Sequence, residues 1–251
     1  ERALGRPIAS VAVHDPRFVR GPVSSRGLAR VLRGASFSSA ERRGKLLVLA
    51  LVGTPAATGH RLGIRFGMTG RLLVDGRIGV ERLVHAGDRH DPRWDRFVVR
   101  FAEGGDLVVR DPRLLGGVLL DPDPSRLGPD ATTVTPAQLH AALAGSAAPV
   151  KARLMDQAKL AGVGNLIADE VLWRASLAPQ RRAGSLTAAE LRRLHRHLRG
   201  TLDDLDRRGG SHLGDLMPAR RHGGRCPRDG AELVRSTVGG RTSWWCPRHQ
   251  R

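Results

Sequence analysis

Along the first 120 residues, short apolar runs alternate with Gly, Pro and Asp punctuation, at 8–13, 45–52, 63–68, 97–101 and 107–110. Runs of this length and spacing predict strands of an antiparallel sandwich or barrel. The Pro/Asp-rich stretch over 120–129 interrupts the pattern and marks a domain boundary. Beyond it the apolar spacing becomes helical. Thr135-Pro136 reads as an N-cap with proline at the first helical position, opening a helix to about Ala144. A second helix is predicted over 150–160, a third after Asn165, and a long charged one over 185–207, stopped at Gly209-Gly210. From Arg221 onward Gly, Cys, Pro and Arg dominate, with a hairpin turn at Gly239-Gly240. The predicted fold is therefore α+β: an antiparallel β-sandwich over 1–120, a helical domain over 130–215 and a terminal hairpin over 221–251.

Charge changes the picture. The 251 residues carry 42 Lys+Arg against 24 Asp+Glu, a net +18 biased strongly to arginine. Arginine forks onto phosphates and guanine edges better than lysine does, although a compositional bias of the genome can also inflate the total. Placement is more telling than amount. Gly162-Val-Gly-Asn165 lies between two helical segments, and a glycine-rich turn opening a helix presents free N–H groups to an anion. With this excess of positive charge, the expected anion is a nucleic-acid backbone. No apolar run approaches membrane-spanning length, and two cysteines argue against a disulfide scaffold, so a cytoplasmic location is expected. The chain starts Glu1-Arg2-Ala3 with no initiator Met, which predicts residues preceding Glu1.

Cys226-Pro-Arg-Asp229 and Cys246-Pro-Arg-His249 flank the hairpin as two tight turns, each with a two-residue spacer. Paired turns of this kind grip tetrahedral zinc, and all four side chains are competent ligands, with Asp229 the weakest and either a ligand or only a hydrogen-bond partner. The other reading is a metal-free hairpin packed on Trp244, Trp245 and Val238. Such a short segment has little core of its own, which favours the metal.

Taken together, these motifs resemble the formamidopyrimidine-DNA glycosylase and endonuclease VIII family of base-excision repair enzymes. The resemblance runs in order along nearly the whole chain. Arg42-Arg-Gly-Lys45 before an apolar strand is similar to the family's basic turn. Phe66-Gly-Met-Thr-Gly-Arg-Leu72 resembles its Leu-Gly-Met-Ser/Thr-Gly loop, and Asp111-Pro-Arg-Leu-Leu-Gly116 its Asp-Pro-Arg-Arg-Phe-Gly loop. Met155-Asp-Gln through Gly162-Val-Gly-Asn165 and Ala168-Asp-Glu170 matches the helix–two-turn–helix element. The final Cys-Pro-Arg-His-Gln resembles the end of its zinc finger.

The resemblance implies a bifunctional glycosylase and abasic-site lyase, monomeric, nucleoid-associated, acting on damaged duplex DNA with a structural zinc ion. Such an enzyme evicts the damaged nucleotide, which costs a few kcal/mol of unstacking. Met68 would fill the vacated space and Arg113 would engage the orphaned partner base; ordinary core packing is the other reading of Met68. Asn165 and Arg241 would pinch the flanking phosphates. Lys45 would contact a phosphate near the lesion and assist the chemistry, or else snorkel at a strand end. Lys151 resembles a lysine near the lesion, or stands solvated at a helix start. The family's nucleophile is an N-terminal proline amine followed by glutamate, and Glu1 does not match that opening. Either the start precedes this sequence or the protein is a non-catalytic damaged-DNA-binding paralogue; the absent Met favours the former. Leu114 and Leu115 stand where relatives have Arg and Phe, and the connection from Ser211 to Cys226 is short, so oxidised pyrimidines, abasic sites and ring-opened purines rank beside 8-oxoguanine as targets. RNA binding, a use to which such helical elements are also put, fits the Met68 and Arg113 loops less well.

Overall fold

The computed structural model describes residues 1–78 and 91–251, in two compact units, Glu1–Pro124 and Ser125–Arg251. The division falls inside the Pro/Asp-rich stretch. Among the described residues no helix is long and apolar enough to cross a membrane.

The first unit holds two antiparallel sheets. One has the order β1-β7-β8-β5-β6, built from β1 (Ile8–Val13), β5 (Arg71–Val74), β6 (Arg77–Ile78), β7 (Asp95–Phe101) and β8 (Asp106–Arg110). The other runs β2-β3-β4-β9, from β2 (Ser36–Arg43), β3 (Leu46–Val52), β4 (Arg61–Arg65) and β9 (Gly117–Leu120). Phe37, Leu49, Leu62, Ile64 and Val118 of one sheet share a core cluster with Ile8, Phe97, Val99 and Val109 of the other. This makes the expected sandwich. Phe97 is fully buried, and truncating such a ring to alanine typically costs about 3–5 kcal/mol. Helix α1 (Ser25–Leu32) packs Leu28 and Leu32 into the same core; its N-cap Ser24 accepts the Gly27 N–H at 3.1 Å.

Apolar patterning alone misses β2, Ser-Phe-Ser-Ser-Ala-Glu-Arg-Arg, because it is an edge strand with a single buried anchor, Phe37. Its exposed charges are what an unpaired sheet edge requires. The run over 63–68 is strand only to Arg65. Gly67, at φ +61°, turns the chain out of the sheet, and the Gly70 N–H closes the turn onto the Phe66 carbonyl at 2.8 Å.

The second unit contains α2 (Pro136–Leu143), α3 (Val150–Met155), α4 (Asn165–Arg174), α5 (Ala188–Arg208) and the hairpin β10 (Val234–Val238) and β11 (Arg241–Trp245). Two capping boxes start helices: Thr135 with Gln138 on α2, and Thr187 with Glu190 on α5. Gly209, left-handed at φ +93°, ends α5. The second predicted helix is shorter than its apolar pattern. Asp156 leaves the helical region and its carboxylate accepts the Ala158 N–H at 3.0 Å, so α3 stops at Met155. The helices share one core, including Leu139, Leu154, Val171, Leu194 and Leu198. A second cluster joins Trp173 of α4 to Cys226, Leu233, Trp244 and Cys246 of the hairpin region.

Candidate nucleic-acid interface and metal centre

In the first unit, two loops are fastened together by one carboxylate. Asp111 is fully buried; it accepts the Thr69 hydroxyl at 2.6 Å and the Gly116 N–H at 2.7 Å. The loops also touch through glycine. A Cβ on Gly67 would lie 2.8 Å from Leu115 backbone, and one on Gly70 would lie 2.2 Å from the Phe66 carbonyl oxygen. No larger residue fits either place. Arg96 grips the Asp111 and Pro112 carbonyls at 2.8 and 3.2 Å, and Arg20 reaches the Leu114 and Gly116 carbonyls at 3.3 and 3.1 Å. On this rigid base Met68 is 56% exposed and Leu115 46%, with Arg113 exposed between them in sequence. Met68 is therefore not a core side chain. Lys45 is exposed as well, in the two-residue turn Gly44-Lys45 that joins β2 to β3, where Arg43 pairs with Leu46.

In the second unit, the glycine loop before α4 is shaped by a single glutamine. Gln157 donates to the Met155 and Val163 carbonyls at 2.8 and 3.0 Å and accepts the Gly162 N–H at 3.0 Å. Gly162 sits at φ +110°, and Gly164 is the N-cap, so no side chain caps the first turn of α4. An uncapped N-terminus is an anion site in waiting. Asn165 opens the helix half-buried, and its Oδ1 has no partner among the described residues.

Arg241 is exposed directly after the Gly239-Gly240 turn, whose φ values of +58° and +71° require glycine. A Cβ on Gly239 would meet the Ala152 Cβ at 2.8 Å, so the turn rests against α3.

Lys151 is not at a surface. It is fully buried, with its ammonium 2.7 Å from Asp169 Oδ1 and donating to the Thr242 carbonyl at 2.9 Å and the Ser243 hydroxyl at 2.5 Å. The expected contact with nucleic acid is corrected accordingly, because all three donors are engaged within the protein. Arg220 binds the other Asp169 oxygen at 2.7 Å, and the Trp244 N–H reaches it at 3.2 Å. This buried network ties α3, α4 and β11 together. Burial pushes the Lys151 ammonium below its ordinary range, against the attraction of Asp169.

Cys226, Asp229, Cys246 and His249 bring their ligand atoms within 4.8 Å of one another. His249 Nδ1 lies 2.8 Å from Asp229 and 3.6 Å from Cys226 Sγ, and Cys246 Sγ lies 3.3 Å from Asp229. The other ring nitrogen of His249 meets the Trp173 carbonyl at 3.3 Å, which favours a proton on Nε2 and turns the Nδ1 lone pair to the cluster. Backbone and indole N–H groups of Arg228 and Trp173 each approach Cys226 Sγ at 3.4 Å. Burial pushes the Cys246 thiol up to about 11. Two sulfurs, one imidazole nitrogen and one carboxylate oxygen so arranged fit a tetrahedral divalent ion such as zinc.

Sequence reasoning singled out no role for Thr69, Asp111, Gln157, Asp169, Arg220 or Ser243. The visible signal was a charged residue inside an apolar helical run, as at Asp169. Thr69 and Ser243 carry no such mark, since only the fold places them beside a buried charge.

Comparison with known proteins agrees with this arrangement. Residues 1–118 match the family described as "Formamidopyrimidine-DNA glycosylase N-terminal domain", and residues 122–213 match "Formamidopyrimidine-DNA glycosylase H2TH domain". A formamidopyrimidine-DNA glycosylase of Symbiobacterium thermophilum is 34% identical over 273 residues, covering 99% of this chain and 84% of its own. That of Paracoccus denitrificans is 33% identical over 272 residues, covering 97% and 92%. A solved structure of Lactococcus lactis Fpg with "an abasic site containing DNA" superposes with a TM-score of 0.81 at 25% identity, over 100% of this chain and 94% of that one. Another neighbour with the same score and coverage is the Lactococcus lactis protein with "a FAPY-dG containing DNA". With both family domains matched in order and relatives aligned along almost its full length, the chain belongs to the formamidopyrimidine-DNA glycosylase family of DNA-repair enzymes.

Proposed function

We propose that the protein binds duplex DNA at oxidised bases and abasic sites, excises the damaged base, and cuts the strand by β-elimination. The observation that carries the reading is the pair of loops joined at Asp111, which present an exposed methionine and an exposed arginine on a backbone that glycine contacts hold in place. A solvent-facing apolar side chain on a rigid turn is what a wedge into a vacated base position needs. Arg113 then engages the base left without a partner, with its guanidinium donors. The neighbouring solved structures contain Fpg with abasic-site or Fapy-dG DNA, which supports the same substrate class here.

The remaining roles follow from chemistry. Asn165 and the N-terminal amides of α4 receive one phosphate, and Arg241 receives another, so the backbone is held at two points in the second unit. Lys45 offers its ammonium to a phosphate beside the lesion. Cys226, Asp229, Cys246 and His249 would hold a structural zinc ion, which cross-links the hairpin and supplies no catalytic step. By the family's pattern the nucleophile would be the amine of an N-terminal proline; it attacks the sugar C1′, displaces the base and forms a Schiff base, and loss of the 2′ proton then breaks the 3′ phosphate bond.

Borohydride trapping of the natural full-length protein on abasic-site duplex tests the reading. A covalent adduct through an N-terminal proline is expected. Tight binding with no adduct would overturn the lyase assignment while leaving damage recognition intact.

A further inference from the structure

The tripeptide Asp-Pro-Arg occurs three times in this chain, at Asp15-Pro16-Arg17, Asp91-Pro92-Arg93 and Asp111-Pro112-Arg113. Three copies in one fold form an internal control, and the third behaves differently from the others.

In the first two copies the arginine folds back onto its own aspartate. Asp15 Oδ1 accepts both the Arg17 backbone N–H and its Nε, each at 3.0 Å, and Oδ2 accepts the terminal nitrogen at 2.7 Å. Asp91 repeats the pattern: Oδ1 takes the Arg93 backbone N–H at 2.9 Å and Nε at 3.1 Å, and Oδ2 takes the terminal nitrogen at 2.7 Å. Both copies continue as a single turn of 3-10 helix. The tripeptide, left to itself, captures its own guanidinium.

The third copy begins the same way, since Asp111 Oδ1 accepts the Arg113 backbone N–H at 3.2 Å. The position that Nε occupies in the other copies is filled by the Thr69 hydroxyl, 2.6 Å from that same oxygen. Oδ2, which elsewhere takes the terminal guanidinium nitrogen, takes the Gly116 N–H at 2.7 Å. The backbone is built for this exchange. Leu114 adopts φ +54°, reversing the chain, and a Cβ on Gly116 would lie 2.4 Å from the Arg65 carbonyl oxygen, so only glycine brings that amide to the carboxylate. Asp111 and Thr69 are both buried, and Arg113 is exposed with no ion pair among the described residues.

We propose that Thr69 is a positioning residue that occupies the Asp111 carboxylate and so keeps the Arg113 guanidinium available to the base opposite the lesion. The inference rests on the reading of Arg113 given above. It makes the hydroxyl beside Met68, rather than any group touching DNA, a determinant of opposite-base discrimination. Without that hydroxyl, Asp111 Oδ1, which already takes the Arg113 backbone N–H, is open to Arg113 Nε as in the other two copies, while Oδ2 stays with Gly116. With Oδ2 still held by Gly116 and the arginine itself exposed, the capture withdraws only part of the guanidinium, so the loss is expected to be modest, roughly threefold to fivefold.

The test uses the natural full-length protein and abasic-site duplexes carrying each of the four bases opposite the site. Affinities are compared for wild type, Thr69→Val, Thr69→Ser, Arg113→Ala and the double variant Thr69→Val/Arg113→Ala, with thermal melting of each. Thr69→Val is expected to flatten the opposite-base ratios toward those of Arg113→Ala, Thr69→Ser to restore them, and the double variant to match Arg113→Ala alone. If Arg113→Ala leaves the ratios unchanged, the reading of Arg113 itself fails. If Arg113→Ala flattens them while Thr69→Val does not, or the two losses add in the double variant, Thr69 does not act through Arg113 and the proposal is overturned.

Discussion

Replacing Asp169 by alanine should damage the second unit more than replacing Lys151 by methionine, although the two residues form one ion pair. Asp169 Oδ1 faces Lys151 at 2.7 Å and Oδ2 faces Arg220 at 2.7 Å, all within buried surroundings. Removing the carboxylate leaves two cations buried without an anion, and breaking a buried pair in this way costs about 3–5 kcal/mol. Methionine at 151 keeps most of the volume and leaves Asp169 paired with Arg220. The Thr242 carbonyl, the Ser243 hydroxyl and Asp169 Oδ1 lose a donor, but Arg220 still neutralises the carboxylate, so the cost is about 1–3 kcal/mol. For a chain of this size each kcal/mol moves the melting midpoint by about 2–4 °C, so Asp169→Ala should melt roughly 6–20 °C lower. A pH series adds a sign. Burial already depresses the Lys151 pKa below 10.5, and Asp169 is the group that opposes this. In the variant the folded state therefore gives up the Lys151 proton at lower pH than the unfolded chain does. Between those two values the unfolded state binds more protons, so stability rises with pH. Melting by circular dichroism from neutral pH upward should show Asp169→Ala gaining more stability, over a wider pH window, than wild type does. Equal costs for the two variants, or a flat alkaline profile for Asp169→Ala, would refute the reasoning.

Three other outcomes are expected. Asn165→Ala and Arg241→Ala should each weaken binding to abasic-site duplex, and Arg241→Ala should also lower the slope of log affinity against log salt by about 0.9, the value of one neutralised phosphate; unchanged affinity in both would sink the two-point grip. Elemental analysis of the folded protein should find one zinc per chain, and a chelator should unfold the hairpin while the sandwich persists in thermal melts; a folded, metal-free hairpin would remove the structural-zinc reading. Met68→Ala should reduce affinity for abasic-site duplex on the order of tenfold with little effect on melting, because the side chain is exposed in the free protein. Equal affinity would mean that the methionine does not enter the stack.

Much of the fold was legible because the decisive signals are local. Strand runs such as Leu-Leu-Val-Leu-Ala-Leu-Val, the Thr135 and Thr187 caps and the Gly209 stop depend on residues within a few positions of each other. The two Cys-Pro-Arg turns were legible for the same reason, and the fold brings their four ligands together. What escaped sequence reading depends on distant partners. β2 is polar and exists because β3 pairs with it, from Arg43 opposite Leu46 to Ser36 opposite Val52. α1 is short, and its two buried leucines have meaning only against the sandwich core. Lys151 looked like a surface lysine because nothing nearby in sequence reveals that Asp169 and Ser243 close over it. Thr69 was one letter in a motif until Asp111 came within 2.6 Å.

Helix α4 has a mechanical consequence. At its far end Trp173 donates its indole N–H to Cys226 at 3.4 Å and offers its carbonyl to His249 at 3.3 Å, while Asn165 stands at the near end. Ten residues make a rod about 15 Å long. A tilt of only about 4° at the cysteine end swings the asparagine end by about 1 Å, on the scale at which misplacement can lower an enzymatic rate about a hundredfold. Stiffness thus turns a small loss of order in the finger into a large error in aim, and the helix serves as a lever arm pivoting at its cysteine end.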